Sequence, residues 1–250
     1  MPVAAPPVSP PIDAPVHGET AGGRGLARPE PGLAVLVFPA DDDLAVAGAL
    51  LRPAPALALV ADPADEHARV RALDGPVEAA AAAGFEVRAA ETLPAAALAG
   101  RLRALPEAPT VLVTGTPSAG RSAHLARAAG APVLAVPPGA TAGTGPAVMR
   151  AGDARCCVVP VVRAAASGHL LLVGPPSAGR EAARALADRF GLRVDVVGGA
   201  SGDAARTLAG ELDGLLAVAD HHRWRAPRDV AVELGRDRPV FVVPARGGRR

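Results

Sequence analysis

Two stretches of the sequence combine glycine, serine and arginine in the way that phosphate-binding loops do. GTPSAGRS (residues 115–122) and GPPSAGRE (residues 174–181) each follow a short apolar run and precede a helix-like Ala/Arg/Leu segment. The backbone N–H groups of such a strand-to-helix turn can bind a phosphate, and a guanidinium can add charge-assisted hydrogen bonds. In the first loop the candidate phosphate-binding residues are Gly115, Ser118, Gly120, Arg121 and Ser122.

Both loops differ from a Walker A loop at the lysine. That loop has the pattern GxxxxGK[ST], in which the lysine reaches the β and γ phosphates and the hydroxyl binds Mg²⁺. The chain contains no lysine, and Arg121 takes its place in the first loop and Arg180 in the second. Glu181 also replaces the hydroxyl of the second loop, where a carboxylate would repel phosphate. A degenerate P-loop enzyme that resembles a small-molecule kinase is therefore only an alternative, and it would need Mg²⁺ and measurable hydrolysis.

Both loops also fit an ordinary strand-to-helix turn. In that interpretation Ser118 and Ser177 are helix N-caps, the glycines allow the tight turn, and the arginines are solvated. For the first loop, the turn and the phosphate site both remain open. For the second loop, Glu181 favours the turn.

A second cluster of polar side chains, ADHHRWRAP (residues 219–227), follows a later apolar run. Trp224 lies between two arginines, so it could stack on a nucleobase while the arginines bind its phosphates. The same tryptophan could instead anchor a dimer contact. Consecutive Asp and His residues rarely converge on one ion without partners elsewhere, so we predict no metal site.

The remaining chemistry-bearing residues show no pattern that is typical of catalysis. We find no Ser/His/Asp triad, no paired carboxylates and no Cys/His pair tied to a strand end. The sequence therefore predicts no catalytic residue, and the protein is expected not to be an enzyme. Cys156 and Cys157 lie in the apolar run CCVVPVV, which predicts buried thiols on a strand.

Charge and hydropathy limit the partners. The net charge is +1, with arginines scattered among acidic residues, so binding to nucleic acid or to an anionic membrane is not predicted. No apolar run approaches the roughly 18 residues of a membrane span. The first residues lack the basic start and the unbroken apolar core of a signal peptide, so a cytoplasmic protein is expected.

The elements that must position these residues follow an α/β pattern. Short continuous apolar runs alternate with helix-length Ala/Leu/Arg segments, which is typical of βαβ units on a parallel sheet covered on both faces. The closing runs APVLAVPPG and RPVFVVPARGG correspond to each other, and so do the opening runs LAVLVFP and HLLLVGP. This correspondence predicts two tandem α/β units with mainly parallel sheets of five strands, the second shortened by about one helix and one strand.

The boundaries of these units follow from changes in composition. Proline, alanine and glycine without periodicity predict a disordered tail at the start of the chain, and a Pro/Gly/Thr-rich run predicts a linker in the middle. The predicted segments are the disordered tail over 1–31, a first unit over 32–139, a linker over 140–154, a second unit over 155–246 and a basic tail over 247–250.

The sequence resembles the universal stress protein family in its tandem, two-domain form. The resemblance rests on the order of strands and helices over 32–139, on a strand that enters an acidic turn (VFPADDD), on a fourth strand that ends in glycine (VLVTGT), and on the closing strands PVLAVP and PVFVVP. It implies Rossmann-like units of the adenine nucleotide alpha hydrolase type, a role in stress response, dimeric association, and binding of ATP or AMP.

The resemblance also implies where a nucleotide would lie. In nucleotide-binding members an aspartate at the end of the first strand meets the adenine, which corresponds to Asp41 or a neighbour. The phosphates lie after the fourth strand, which corresponds to GTPSAGRS. The prediction is a non-enzymatic sensing or interaction module with ATP or AMP as candidate ligand, and with a protein partner or a second copy as candidate partner. A ligand-free protein–protein scaffold is the other alternative.

Overall fold

The computed structural model describes the backbone of residues 26–62, 66–115, 119–198, 202–220 and 238–245, and their side chains except at 66–71, 119–123 and 202–203. The strands of this part are β1 (Ala34–Val37), β2 (Pro55–Ala61), β3 (Glu86–Leu93), β4 (Val111–Thr114), β5 (Val133–Ala135), β6 (Ala147–Arg150), β7 (His169–Val173), β8 (Arg193–Val197), β9 (Leu215–Asp220) and β10 (Val240–Pro244). Its helices are α1 (Asp41–Leu50), α2 (Glu66–Ala82), α3 (Leu98–Arg103), α4 (Ala119–Ala129), α5 (Ala154–Ala164), α6 (Ala178–Arg189) and α7 (Gly202–Glu211).

The ten described strands form one sheet in the order β3-β2-β1-β4-β5-β10-β9-β6-β7-β8. Every neighbouring pair is parallel except β5 and β10, which are antiparallel. We call the part from β1 to β5 the first half and the part from β6 to β10 the second half. The predicted α/β class with a mainly parallel sheet is confirmed. No helix in the described ranges is long and apolar enough to cross a membrane.

The central strands are continuous apolar runs because helices cover both of their faces. All residues of β1 and β4 are buried, as expected for strands of a parallel sheet with two covered faces. On one face a single hydrophobic cluster runs through both halves beneath α1, α2, α5 and α6. On the other face α3 and α4 cover the first half, and α7 covers part of the second.

The two halves contact each other through reciprocal bonds. Beside the antiparallel pairing of β5 with β10, the ends of α1 and α5 meet. There the Arg52 N–H donates to the Ala164 carbonyl and the Ala166 N–H donates to the Leu50 carbonyl, both at 2.8 Å. Each half therefore donates one backbone hydrogen bond to the other and accepts one from it at equivalent positions, which is the pattern of a twofold-symmetric contact.

Strand β6 lies inside 140–154, the segment for which the sequence predicts a linker. It pairs with β7 and β9, as β1 pairs with β2 and β4. The run HLLLV is therefore the counterpart of β2 and not of β1, and the predicted loss of a strand from the second unit is corrected, since each half contributes five described strands. AVMR was missed because it has only four residues and follows a Pro/Gly/Thr-rich run.

The run CCVVPVV forms most of α5, so the prediction that it is a strand is wrong. Its buried residues, Cys157, Val158, Val161 and Val162, recur with helical spacing and face the core. Its valines favoured a strand, and its internal proline argued against a helix. The segment forms a helix because a helix buries all of these residues on one face against the core.

Residues 26–31, which the sequence assigns to the tail, run along the second half. The Arg28 guanidinium donates to the carbonyls of Val162 at 3.0 Å, Ala165 at 2.7 Å and Ser167 at 3.2 Å. A cation is favourable here because the carbonyls at the end of a helix carry partial negative charge. Residues 1–25 and 246–250 lie outside the described residues.

Candidate functional site

The first half reverses its strand order between β1 and β4. The chain leaves β1 for β2 on one side and later returns to β4 on the other. In open parallel sheets, ligands bind beyond the carboxyl ends of the strands at such a point. Val37 and Thr114 are partners at these two ends. We call residues 38–43 together with Gly115 the first switch point.

The turn after β1 is short and partly strained. Phe38 has a left-handed backbone with φ of 47°, which is costly for a bulky residue. Its N–H donates to the Leu59 carbonyl of β2 at 2.7 Å, which holds the turn in place. Ala40 then caps α1 in an extended conformation, and the aspartates of 41–43 fill the first helical turn. Carboxylates are favourable there because the N-terminal end of a helix carries partial positive charge.

Asp43 points from α1 towards β4. Its residue is only 9% exposed, and the Ala40 N–H donates to its carboxylate at 3.4 Å. A Cβ atom placed on Gly115 would overlap this carboxylate. Glycine is therefore required at 115 by the close approach of the Asp43 carboxylate, which lies against the residue that follows β4.

The environment of Asp43 disfavours its charged form. Burial raises the pKa of the Asp43 carboxyl, the Ala40 N–H opposes the rise, and the nearby Asp42 charge adds to it. Asp42 itself is exposed, as is Asp41. Of the three aspartates in this turn, Asp43 alone is buried at the switch point.

The structure brings two of the predicted site residues to this switch point. Asp41 begins α1 directly after the β1 turn, and Gly115 directly follows β4. The sequence analysis did not single out Asp43. The available signal was its place in the third helical position of an acidic run, three and four residues before Val46 and Ala47 on the buried side of α1.

The other predicted site residues are described in part or not at all. Gly120, Arg121 and Ser122 belong to the first turn of α4, and their side chains lie outside the described residues. Ser118 and Trp224 lie outside the described backbone as well. Their roles therefore remain predictions.

The second half has an equivalent position between β6 and β9. We call residues 151–153 together with Asp220 the second switch point. Asp153 is buried and is the N-cap residue of α5. Asp220 ends β9, and its carboxylate accepts a hydrogen bond of 2.8 Å from Arg127 of α4. The second switch point therefore contains a cation supplied by the first half.

The loop GPPSAGRE forms a structural turn after β7. The Ser177 hydroxyl accepts a hydrogen bond from the Arg180 N–H at 3.2 Å and donates to the Ala151 carbonyl at 3.3 Å. A Cβ atom on Gly179 would come within 3.1 Å of the same carbonyl. Serine therefore caps α6 and glycine allows it to approach the β6 turn. The geometry supports the structural interpretation of this second copy.

A serine, a histidine and an aspartate also meet near the start of β7, on the edge opposite the second switch point. His169 Nε2 lies 2.9 Å from Asp195, and Arg193 forms an ion pair of 2.7 Å with the same carboxylate. Burial acts to raise the pKa of Asp195, but Arg193 and His169 outweigh it and hold the pKa below its ordinary value. The Ser167 hydroxyl bonds to the backbone N–H and carbonyl of His169. These residues therefore form a structural network and not a nucleophile with its base.

The buried cysteine of α5 is also a poor candidate for chemistry. Cys157 is buried in the core, and burial raises the pKa of its thiol well above the ordinary value, with the nearby Asp153 adding to the rise. A thiol with a raised pKa is a weak nucleophile at neutral pH because the thiolate is the reactive form. No group of three or more His, Cys, Asp or Glu side chains that could hold a metal occurs in the ranges that the structure describes.

Comparison with known proteins supports the fold. The chain is similar to the crystal structure of a universal stress protein from Archaeoglobus fulgidus DSM 4304, with a TM-score of 0.52 and 12% identity over 86% of this chain and 98% of that chain. The fold is universal-stress-protein-like. At this identity the likeness concerns the fold alone. No family model and no curated protein sequence matches the chain.

Proposed function

We propose that the protein is a non-enzymatic, universal-stress-protein-like sensing or interaction module that binds ATP or AMP at the first switch point. The observation that supports the proposal is that Asp41 and Gly115 follow the carboxyl ends of two paired strands, β1 and β4, where the strand order reverses. In a fold of this type, that is the position at which a nucleotide binds. The repeated strand order of the two halves supports the tandem interpretation as part of the same proposal.

In this proposal each end of the nucleotide has its own partners. Asp41 lies at the exposed start of α1 and meets the adenine. The phosphate lies at the start of α4, where backbone N–H groups and the helix dipole favour an anion. Arg121 adds a guanidinium, with Ser118, Gly120 and Ser122 around the phosphate. Trp224 follows β9, whose carboxyl end lies at the sheet edge opposite Gly115 because β5 and β10 are antiparallel. Its stacking on a base therefore stays a sequence prediction and is not part of the proposed site at the first switch point.

We expect binding without turnover. An arginine is a wide planar fork and a poor substitute for the lysine that reaches the γ phosphate inside a Walker loop. In the second copy of the loop, Ser177 caps α6, and we do not propose a second phosphate site there. Hydrolysis of ATP that depends on Mg²⁺ would support the degenerate P-loop enzyme instead.

One observation favours a second candidate, a ligand-free scaffold that binds a protein partner or a second copy. Asp43 already fills the space beside Gly115. A phosphate that entered this space would meet a carboxylate. Neither candidate involves nucleic acid or a membrane.

Isothermal titration with AMP, ATP and inorganic phosphate tests the proposal. We expect AMP to bind the wild type, and Arg121→Ala to weaken binding about tenfold because a charge-assisted hydrogen bond is lost. Arg180→Ala is the matched control, since Arg180 holds the same position in the second loop, and it should leave the affinity unchanged. Absence of heat and of any thermal shift with all three ligands would leave the scaffold as the function.

A further inference from the structure

The Asp43 carboxylate is held against Gly115 by a fixed helix. Leu44 and Ala47 of α1 are fully buried, and a Cβ atom on Gly48 would overlap the backbone carbonyl of Ala83. Helix α1 is therefore packed tightly against the sheet and against the residue that follows α2. A ligand that needs the space beside Gly115 has to displace the Asp43 side chain or tolerate its charge.

The other two aspartates of the turn do not have this constraint. Asp41 and Asp42 are exposed, so their carboxylates can turn towards solvent, where water screens them. Asp43 is nine-tenths buried, so its charge acts through a medium that screens much less. A phosphate at the first switch point would interact unfavourably with Asp43 far more than with its two neighbours.

We infer that Asp43 is a specificity-determining residue that limits the phosphate charge of the ligand, so that the first switch point takes adenosine or AMP in preference to ATP. The inference rests on the proposed function and narrows its ligand class. Each added phosphate places more negative charge near the carboxylate. The Ala40 N–H offsets only part of that charge, since its bond to Asp43 is long at 3.4 Å.

Titration calorimetry without Mg²⁺ tests this inference with adenosine, AMP and ATP on three proteins: the wild type, Asp43→Asn and Asp42→Asn. We expect the wild type to bind AMP at least tenfold more tightly than ATP. Asp43→Asn keeps an oxygen for the Ala40 N–H but removes the charge, so the AMP-to-ATP ratio should fall to about threefold or less. Asp42→Asn, which removes one charge from an exposed neighbour, should retain the wild-type ratio.

The outcomes separate the inference from the proposed function. Wild type that binds ATP as tightly as AMP, or an unchanged ratio in Asp43→Asn, would overturn the inference while the nucleotide site stands. Failure of all three ligands to bind any of the three proteins would overturn both. If Asp43→Asn does not show the circular dichroism of the wild type, Asp43→Ser replaces it and must shift the ratio in the same direction.

Discussion

The two halves of the sheet share a strand order but differ at their switch points. In the first half, an acidic turn at the start of α1 meets Gly115, and Asp43 is buried between β1 and β4. In the second half, Asp220 at the end of β9 is paired with Arg127 from the other half. Strand order is set by buried apolar runs, which both halves have, whereas ligand chemistry depends on a few loop residues. The fold can therefore repeat while the two sites differ.

The largest difference that we expect between the halves concerns two helical glycines. Gly48→Ala in α1 forces a Cβ atom into the Ala83 carbonyl, and should destabilise the protein by about 3 kcal/mol because backbone has to shift. Gly210→Ala in α7 meets no atom within 4 Å, and should stabilise it by about 0.5 kcal/mol by lowering the entropy of the unfolded chain. Urea unfolding monitored by circular dichroism measures both.

Equal effects of these two substitutions would contradict the account of α1 as a fixed helix. They would also weaken the inference about Asp43, whose position depends on that helix. Gly100→Ala in α3 is a second control in the first half, since no atom lies within 4 Å of its added Cβ.

A helix cap provides the next comparison. Ser177→Ala removes the hydroxyl that accepts from the Arg180 N–H, and should cost about 1 kcal/mol, a typical value for an N-cap. Thermal unfolding measures the loss, and nucleotide affinity measured alongside should not change. A loss of affinity with unchanged stability would instead make the second loop a ligand site.

The pH dependence of stability tests the environment of Asp43. Its pKa is raised in the folded protein, so the folded state binds more protons and stability falls as pH rises from about 4 through the folded pKa. Asparagine does not titrate, so Asp43→Asn does not show this fall in stability with rising pH. We expect the variant to be more stable than the wild type at pH 7, by less free energy than Ser177→Ala costs. Below about pH 4 the two proteins should be equally stable, because Asp43 is then protonated in both the folded and the unfolded state. A constant difference across pH would mean that Asp43 titrates normally.

The smallest expected effect comes from the ion pair between the halves. Arg127→Ala should cost at most about 0.5 kcal/mol, because the Arg127 side chain is 42% exposed and solvent screens the pair. A double-mutant cycle with Asp220→Ala measures the coupling. A coupling above about 2 kcal/mol would show that the second switch point is more buried than the described residues indicate.

The sequence predicted the class of the fold because buried parallel strands leave a direct signal, a short continuous apolar run between helical segments. It failed at β6 and α5, where the local signal was weak or misleading. AVMR is too short to stand out beside its proline and glycine neighbours. The segment CCVVPVVRA of α5 carries β-branched residues, which are typical of strands, and a proline, which disfavours a helix interior, so only packing against the core shows its helical face.

The site was less predictable because its contacts join residues far apart in the chain. Asp41 and Gly115 follow from their places after strands, which the sequence shows. The contact between Asp43 and Gly115 depends on the pairing of β1 with β4, and the bond from Arg127 to Asp220 depends on the antiparallel pairing of β5 with β10. Neither pairing leaves a pattern in the nearby residues.

Hydrogen exchange with and without AMP tests most directly whether the first switch point alone binds nucleotide. We predict slower exchange in peptides that cover residues 38–43 and 111–115, and unchanged exchange in peptides that cover 151–153 and 215–220. Protection of the second switch point alone, or of neither switch point at saturating AMP, would contradict the account.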